Sequence, residues 1–81
     1  MNAPDLKLVK LGWLDSRGVT EHWATFEQLK ENEPCMIWSV GWVINETDDY
    51  IQICPHIGSD PDQGCGEMTI PKFAIQHMET G

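Results

Sequence analysis

Positive charge is scarce in this chain: five Lys and Arg stand against thirteen Asp and Glu, for a net charge of −8 over 81 residues. No basic stripe is available to neutralise phosphates or to hold an anionic lipid surface, so direct nucleic-acid binding and membrane association are not expected. A basic partner surface would be attracted instead, although an acidic surface also serves solubility alone. Long apolar runs are missing too. No stretch approaches the roughly 18 to 20 apolar residues of a membrane span, and Met1-Asn2-Ala3-Pro4-Asp5 has no basic region leading into an apolar core. The expected compartment is therefore the cytosol. The three Cys form no Cys-x-x-Cys pair, and an odd number fits a reducing compartment, where Cys54 and Cys65 would pair only after oxidation. Walker, Rossmann and Gly-x-Ser-x-Gly motifs are all lacking, and no catalytic residue is assigned.

What the chain does have is apolar substance. Hydrophobic residues make up 41% of it and four of them are Trp, enough for a core and against disorder. At this length it is one domain, residues 1–81, with a thin stability margin.

Leu6 to Leu14 carries apolar residues on both parities, the pattern of a strand buried on both faces. Asp15-Ser16-Arg17-Gly18 reads as a turn, after which Val19 to Trp23 is expected to run back antiparallel. Thr25 and Gln28 have capping-box spacing and predict a short helix over Phe26 to Lys30, which Pro34 prevents from continuing. Cys35 to Asn45 is the strongest strand, with Gly41 as its bend, and Glu46-Thr47-Asp48-Asp49 turns it into Tyr50 to Cys54, where Ile51 and Ile53 face the core. Pro55 to Gly66, rich in Gly and Pro, reads as a loop. Met68 to Ile70 is a short strand, Pro71 breaks it, and Ile75 to Met78 closes the sheet.

About five short strands and one short helix predict a mainly β fold, a small SH3-like antiparallel barrel. Closure suits so short a chain because it removes exposed sheet edges. The alternative is an open antiparallel sheet with Thr25 to Lys30 packed on one face.

Several residues have chemistry to offer. Cys54, His56, Cys65 and His77 are a weak zinc set by residue type, with His22 or Cys35 as substitutes, but their spacing departs from paired ligands and Pro55 restrains the loop. Buried structural thiols and an ordinary loop His are the favoured reading. Cys54 and His56 share a strand face, yet no motif supplies an orienting carboxylate for a nucleophile. Asp60-Pro61-Asp62-Gln63-Gly64 lacks the full ligand spacing of a calcium loop and reads as a solvated turn. Four indoles are more than an 81-residue core readily hides, so exposed Trp is expected, with Trp23 and Trp42 as binding candidates.

In SVGWV, ETDDYI and GEMTIPKFAI, with the Gly12-Trp13-Leu14-Asp15 turn and the Ile70 to Ile75 step, the chain resembles a family of small uncharacterised bacteriophage proteins. The resemblance spans nearly the whole chain and rests on structural positions, so it implies a shared scaffold and transfers no catalytic residue. It implies a phage-encoded accessory protein acting in the host bacterial cytoplasm, a setting in which small acidic proteins often inhibit host defence.

Two functions follow as expectations. In the first, a non-enzymatic, anti-CRISPR-like inhibitor docks an acidic face, Glu46, Asp48 and Asp49 or Asp60 and Asp62, onto a basic host protein. In the second, an oligomer sequesters a nucleotide signal between Trp side chains and Lys7, Lys10, Arg17, Lys30 and Lys72, which requires those cations to cluster. A structural or assembly role in the phage is the remaining alternative.

Overall fold

The computed structural model describes residues 5–19 and 21–81. Seven strands form two antiparallel sheets: β1 (Leu8–Asp15), β2 (Cys35–Glu46), β3 (Tyr50–Cys54), β6 (Met68–Pro71) and β7 (Ile75–Thr80) in one, β4 (His56–Ser59) and β5 (Asp62–Cys65) in the other. Helix α1 (Phe26–Leu29) lies between β1 and β2, and a 3-10 turn (Lys72–Ala74) joins β6 to β7. Among the described residues no helix is long and apolar enough to cross a membrane.

The large sheet has the order β6-β3-β2-β1-β7. Three successive strands meander, and β7 returns to the free side of β1. A barrel would need β6 and β7 to pair, but each is an edge strand, so the expected closure does not occur and the open antiparallel sheet is what forms. Its core lies on one face: Val9, Leu11 and Trp13 from β1 meet Ile51 and Ile53 from β3 and Ile70 from β6. Trp13 is buried with its indole N–H satisfied, because Nε1 donates to Ser39 Oγ at 3.1 Å. The double-sided burial expected of β1 is not observed, since Leu14 on the opposite face is exposed.

Two further expectations are corrected. Pro55 to Gly66 is not a plain loop but contains the β4–β5 hairpin, in which His56 opposes Cys65 and Ser59 opposes Asp62. Cys54 sits against it: its thiol lies 3.2 Å from the His56 carbonyl and 3.3 Å from the Cys65 carbonyl, and its single S–H donates to one of them or is shared between the two. Hydrogen addition at Gly64 is all the space allows, because a Cβ there would come within 2.6 Å of Cys54 Sγ. No strand forms among the described residues of Val19 to Trp23, and Thr20 lies outside them.

Residues 16–34 instead form an arm. Its capping box is made as the spacing predicts, with Gln28 N–H donating to Thr25 Oγ1 at 3.2 Å and Thr25 N–H to Gln28 Oε1 at 3.0 Å. Yet α1 buries no residue, so it packs on neither sheet. The Cα radius of gyration is 16.5 Å, against about 12 Å for a compact domain of this length. The molecule is elongated, 55 Å along its longest axis against 23 and 19 Å across.

Candidate functional site

Strand β2 links two unlike ends of the molecule. Its Cys35 end receives the arm, while its Glu46 end enters the acidic turn. Thr47 builds that turn, its hydroxyl accepting from the N–H groups of Asp49 at 3.2 Å and Tyr50 at 3.1 Å. Asp49 carbonyl accepts from Lys72 N–H at 2.8 Å, which ties the 3-10 turn to the same end. Lys72 Nζ lies 2.8 Å from Glu46 Oε2, and that hydrogen bond, helped by the ammonium charge, holds the Glu46 carboxyl below its ordinary pKa.

A β-bulge next to this turn shapes a cleft. Val43 opposes Ile53 and Asn45 opposes Gln52, so Ile44 has no cross-strand partner. Ile44 lines a cleft of about 500 Å³ together with Leu6 and with Ile57, Ser59 and Gln63 of the hairpin. Asp5 and Asp62 stand at its margin, both exposed. Among the described residues neither carboxylate is in an ion pair. An apolar trough bordered by unpaired carboxylates can take a group that is aliphatic along its length and cationic at its tip.

The expected site residues therefore divide. Glu46, Asp48 and Asp49 belong to the β2–β3 turn, whereas Asp60 and Asp62 belong to the β4–β5 hairpin, Asp60 with Pro61 at its tip and Asp62 opposite Ser59. Of these, Glu46 is already paired with Lys72 and the others remain open. Trp42 is half-buried in β2, opposite Cys54 of β3 and Leu8 of β1. Trp23 is fully exposed, but on the arm at the other end. Leu6, Ile44 and Ile57 were not expected at a site. The one local signal for Ile44 was its position in an apolar strand just before a turn, which does not distinguish core from cleft.

The four zinc candidates are not brought together. Cys54 is buried with its thiol against two carbonyls, whereas His77 lies on β7, its Nε2 3.0 Å from Glu79 Oε1 and its ring edge-on to Trp38 at 5.6 Å. Among the described residues no group of three His, Cys, Asp or Glu is placed to hold a metal ion. Among the cations, Lys7 shares the Glu46 end with Lys72, its charge also lowering the Glu46 pKa. Lys10 pairs with Glu79 at 3.5 Å, Lys72 with Glu46, and Arg17 Nε donates to the Glu33 carbonyl at 2.7 Å in the arm. Glu79 is held below its ordinary pKa, first by the hydrogen bond from His77 and then by Lys10.

No family model matches the chain, and no curated protein or solved structure shows significant similarity to it.

Proposed function

We propose that the protein is a non-enzymatic binding module whose acidic end docks onto a basic surface of another protein, with one Lys or Arg side chain of that partner entering the cleft beside Ile44. The observation that carries this reading is the cleft itself, in which Leu6, Ile44 and Ile57 offer apolar walls and Asp5 and Asp62 leave two carboxylates unpaired. A side chain with an aliphatic stem and a cationic head satisfies both parts. The surrounding Asp48, Asp49 and Asp60 would raise the association rate by long-range attraction. Resemblance to small bacteriophage proteins supports a host protein in the bacterial cytoplasm as the partner, and inhibition of a defence factor with a basic nucleic-acid channel as the outcome. Three of the five cations are committed apart from one another, Lys10 to Glu79, Lys72 to Glu46 and Arg17 to the Glu33 carbonyl, which argues against a phosphate-binding nucleotide sponge.

Amide NMR of the full chain, titrated with Nα-acetyl-arginine amide and Nα-acetyl-lysine amide, tests the cleft directly. Saturable shifts are expected at Leu6, Ile44, Ile57 and Gln63, and they should be lost in the Asp5→Asn/Asp62→Asn variant. Shifts spread evenly over all carboxylates, or none, would defeat the reading. With a partner protein captured from lysate, affinity should fall steeply as salt rises, and recovery independent of both salt and those two Asp would count against it.

A further inference from the structure

The large sheet has an outer face, opposite the one that carries its core. Toward the arm, cross-strand register sets Lys10 opposite Val40, Gly12 opposite Trp38 and Leu14 opposite Met36, so these side chains share that outer face. Trp38 is 55% exposed and Val40 56%, with Leu14 and Met36 also open. Gly12 makes the surface continuous: a Cβ there would lie 2.8 Å from both Met36 Cε and Trp38 Cζ3, so the two side chains lean across the strand where no side chain stands. Lys10 Nζ, 5.5 Å from the Trp38 ring centroid, and the edge of His77 fix the indole from either side.

The arm carries the complementary shape. Trp23 is fully exposed and Phe26 78% exposed, and with Val19, Ala24 and Leu29, and with Glu21 and His22 as its polar members, they line an open, largely apolar hollow of about 420 Å³. The arm is clamped at its base by Arg17 and started by a complete capping box, so its projection is built into the chain. A single copy thus has an apolar hollow on its arm and an apolar ridge on its sheet, and covers neither.

We propose that two copies of this chain exchange arms, each laying the Trp23 and Phe26 hollow over the Trp38 and Val40 ridge of the other. A two-fold axis makes this one self-complementary contact made twice. The area is sufficient. Two aromatic side chains bury roughly 400 Å² per arm, the ridge beneath them loses a similar amount, and the two junctions together remove about 1,600 Å², the usual size of a stable interface. The pairing is independent of the basic-partner reading and uses the opposite end of the molecule.

Sedimentation equilibrium of the full chain tests it. A dimer is expected, and because both copies are acidic it should tighten as salt is raised from about 0.05 to about 0.5 M, opposite to the trend for a basic partner. Trp23→Ala/Phe26→Ala should weaken self-association about 30-fold or more, and so should Val40→Glu, with circular dichroism unchanged in each. Mixing these two variants gives the sharpest readout: one intact arm meets one intact ridge, half of the native contact, so a heterodimer weaker than the native dimer should form at concentrations where neither variant self-associates. A monomeric full chain, a dimer indifferent to either variant, or a mixture that stays monomeric would overturn the proposal. Loss of salt-sensitive arginine-amide binding with the dimer intact would remove only the cleft.

Discussion

The sheet and the arm contain side chains of the same kind in opposite circumstances. Val9, Leu11, Trp13 and Ile51 are buried, while Val19, Trp23 and Phe26 are almost wholly exposed. Hydrophobicity does not separate the two sets; long-range strand pairing does. Each buried residue sits on a strand with hydrogen-bonded neighbours that bring another apolar face against it, whereas the arm, held by local bonds at its base and cap, has no strand beside it. A local motif can therefore shape a segment without giving it anything to pack on.

The contrast is broken most strongly by removing volume from the sheet. Leu11→Ala should cost about 3 kcal/mol in chemical denaturation, a large share of a small domain's stability. Trp23→Ala, measured at a dilution where the chain is monomeric, should change stability by about 0.5 kcal/mol or less despite removing a larger side chain. An equal loss in both would mean that the arm belongs to the core. Next comes Gly64→Ala, whose Cβ would press on buried Cys54 Sγ at 2.6 Å and on the His56 carbonyl at 3.1 Å. A loss of about 2 kcal/mol is expected, with the amide shifts of β4 and β5 moving more than those of β1.

How the sequence encodes these regions differs in kind. The capping box at Thr25 and Gln28, the turn at Glu46 to Asp49 and the inward alternation of Ile51 and Ile53 are local patterns, and each forms where its spacing places it. Val19 to Trp23 shows that pattern alone is insufficient, because a strand also needs a neighbour. The β4–β5 hairpin fails in the other direction: Pro55, Gly58, Pro61, Gly64 and Gly66 read as loop, yet Cys54 and the close approach at Gly64 make two strands of it. Of the cleft's two carboxylates, Asp62 was legible as an acidic residue near a turn, whereas Asp5 was not. The apolar walls were not legible either, since Leu6, Ile44 and Ile57 meet only after the bulge and the hairpin have brought distant segments together.

Limited proteolysis sharpens the comparison locally. Chymotrypsin should cut dilute protein first after Trp23 or Phe26 and leave the sheet intact, and Thr25→Ala should speed that cut severalfold through loss of a cap worth about 1 kcal/mol to α1. First cleavage within β2 or β3 would contradict the division.

The smallest effect belongs to the acidic end. Because Lys72 lowers the folded-state pKa of Glu46, the unfolded chain takes up the proton first as pH falls. The pair's stabilisation is complete above the ordinary value of 4.5 and disappears as pH drops through the folded value. Lys72→Gln should return the Glu46 carboxyl to that ordinary range in an NMR titration, with little change in stability at neutral pH.

Strand β2 runs unbroken from Cys35 to Glu46. At about 3.3 Å per residue it spans roughly 36 Å, and its hydrogen bonding to β1 and β3 keeps it from bending freely. It is in effect a ruler. On the proposed readings it sets the spacing between the cleft and the arm junction, and lengthening β2 by two residues would move the two about 7 Å further apart while preserving which side chains face the core.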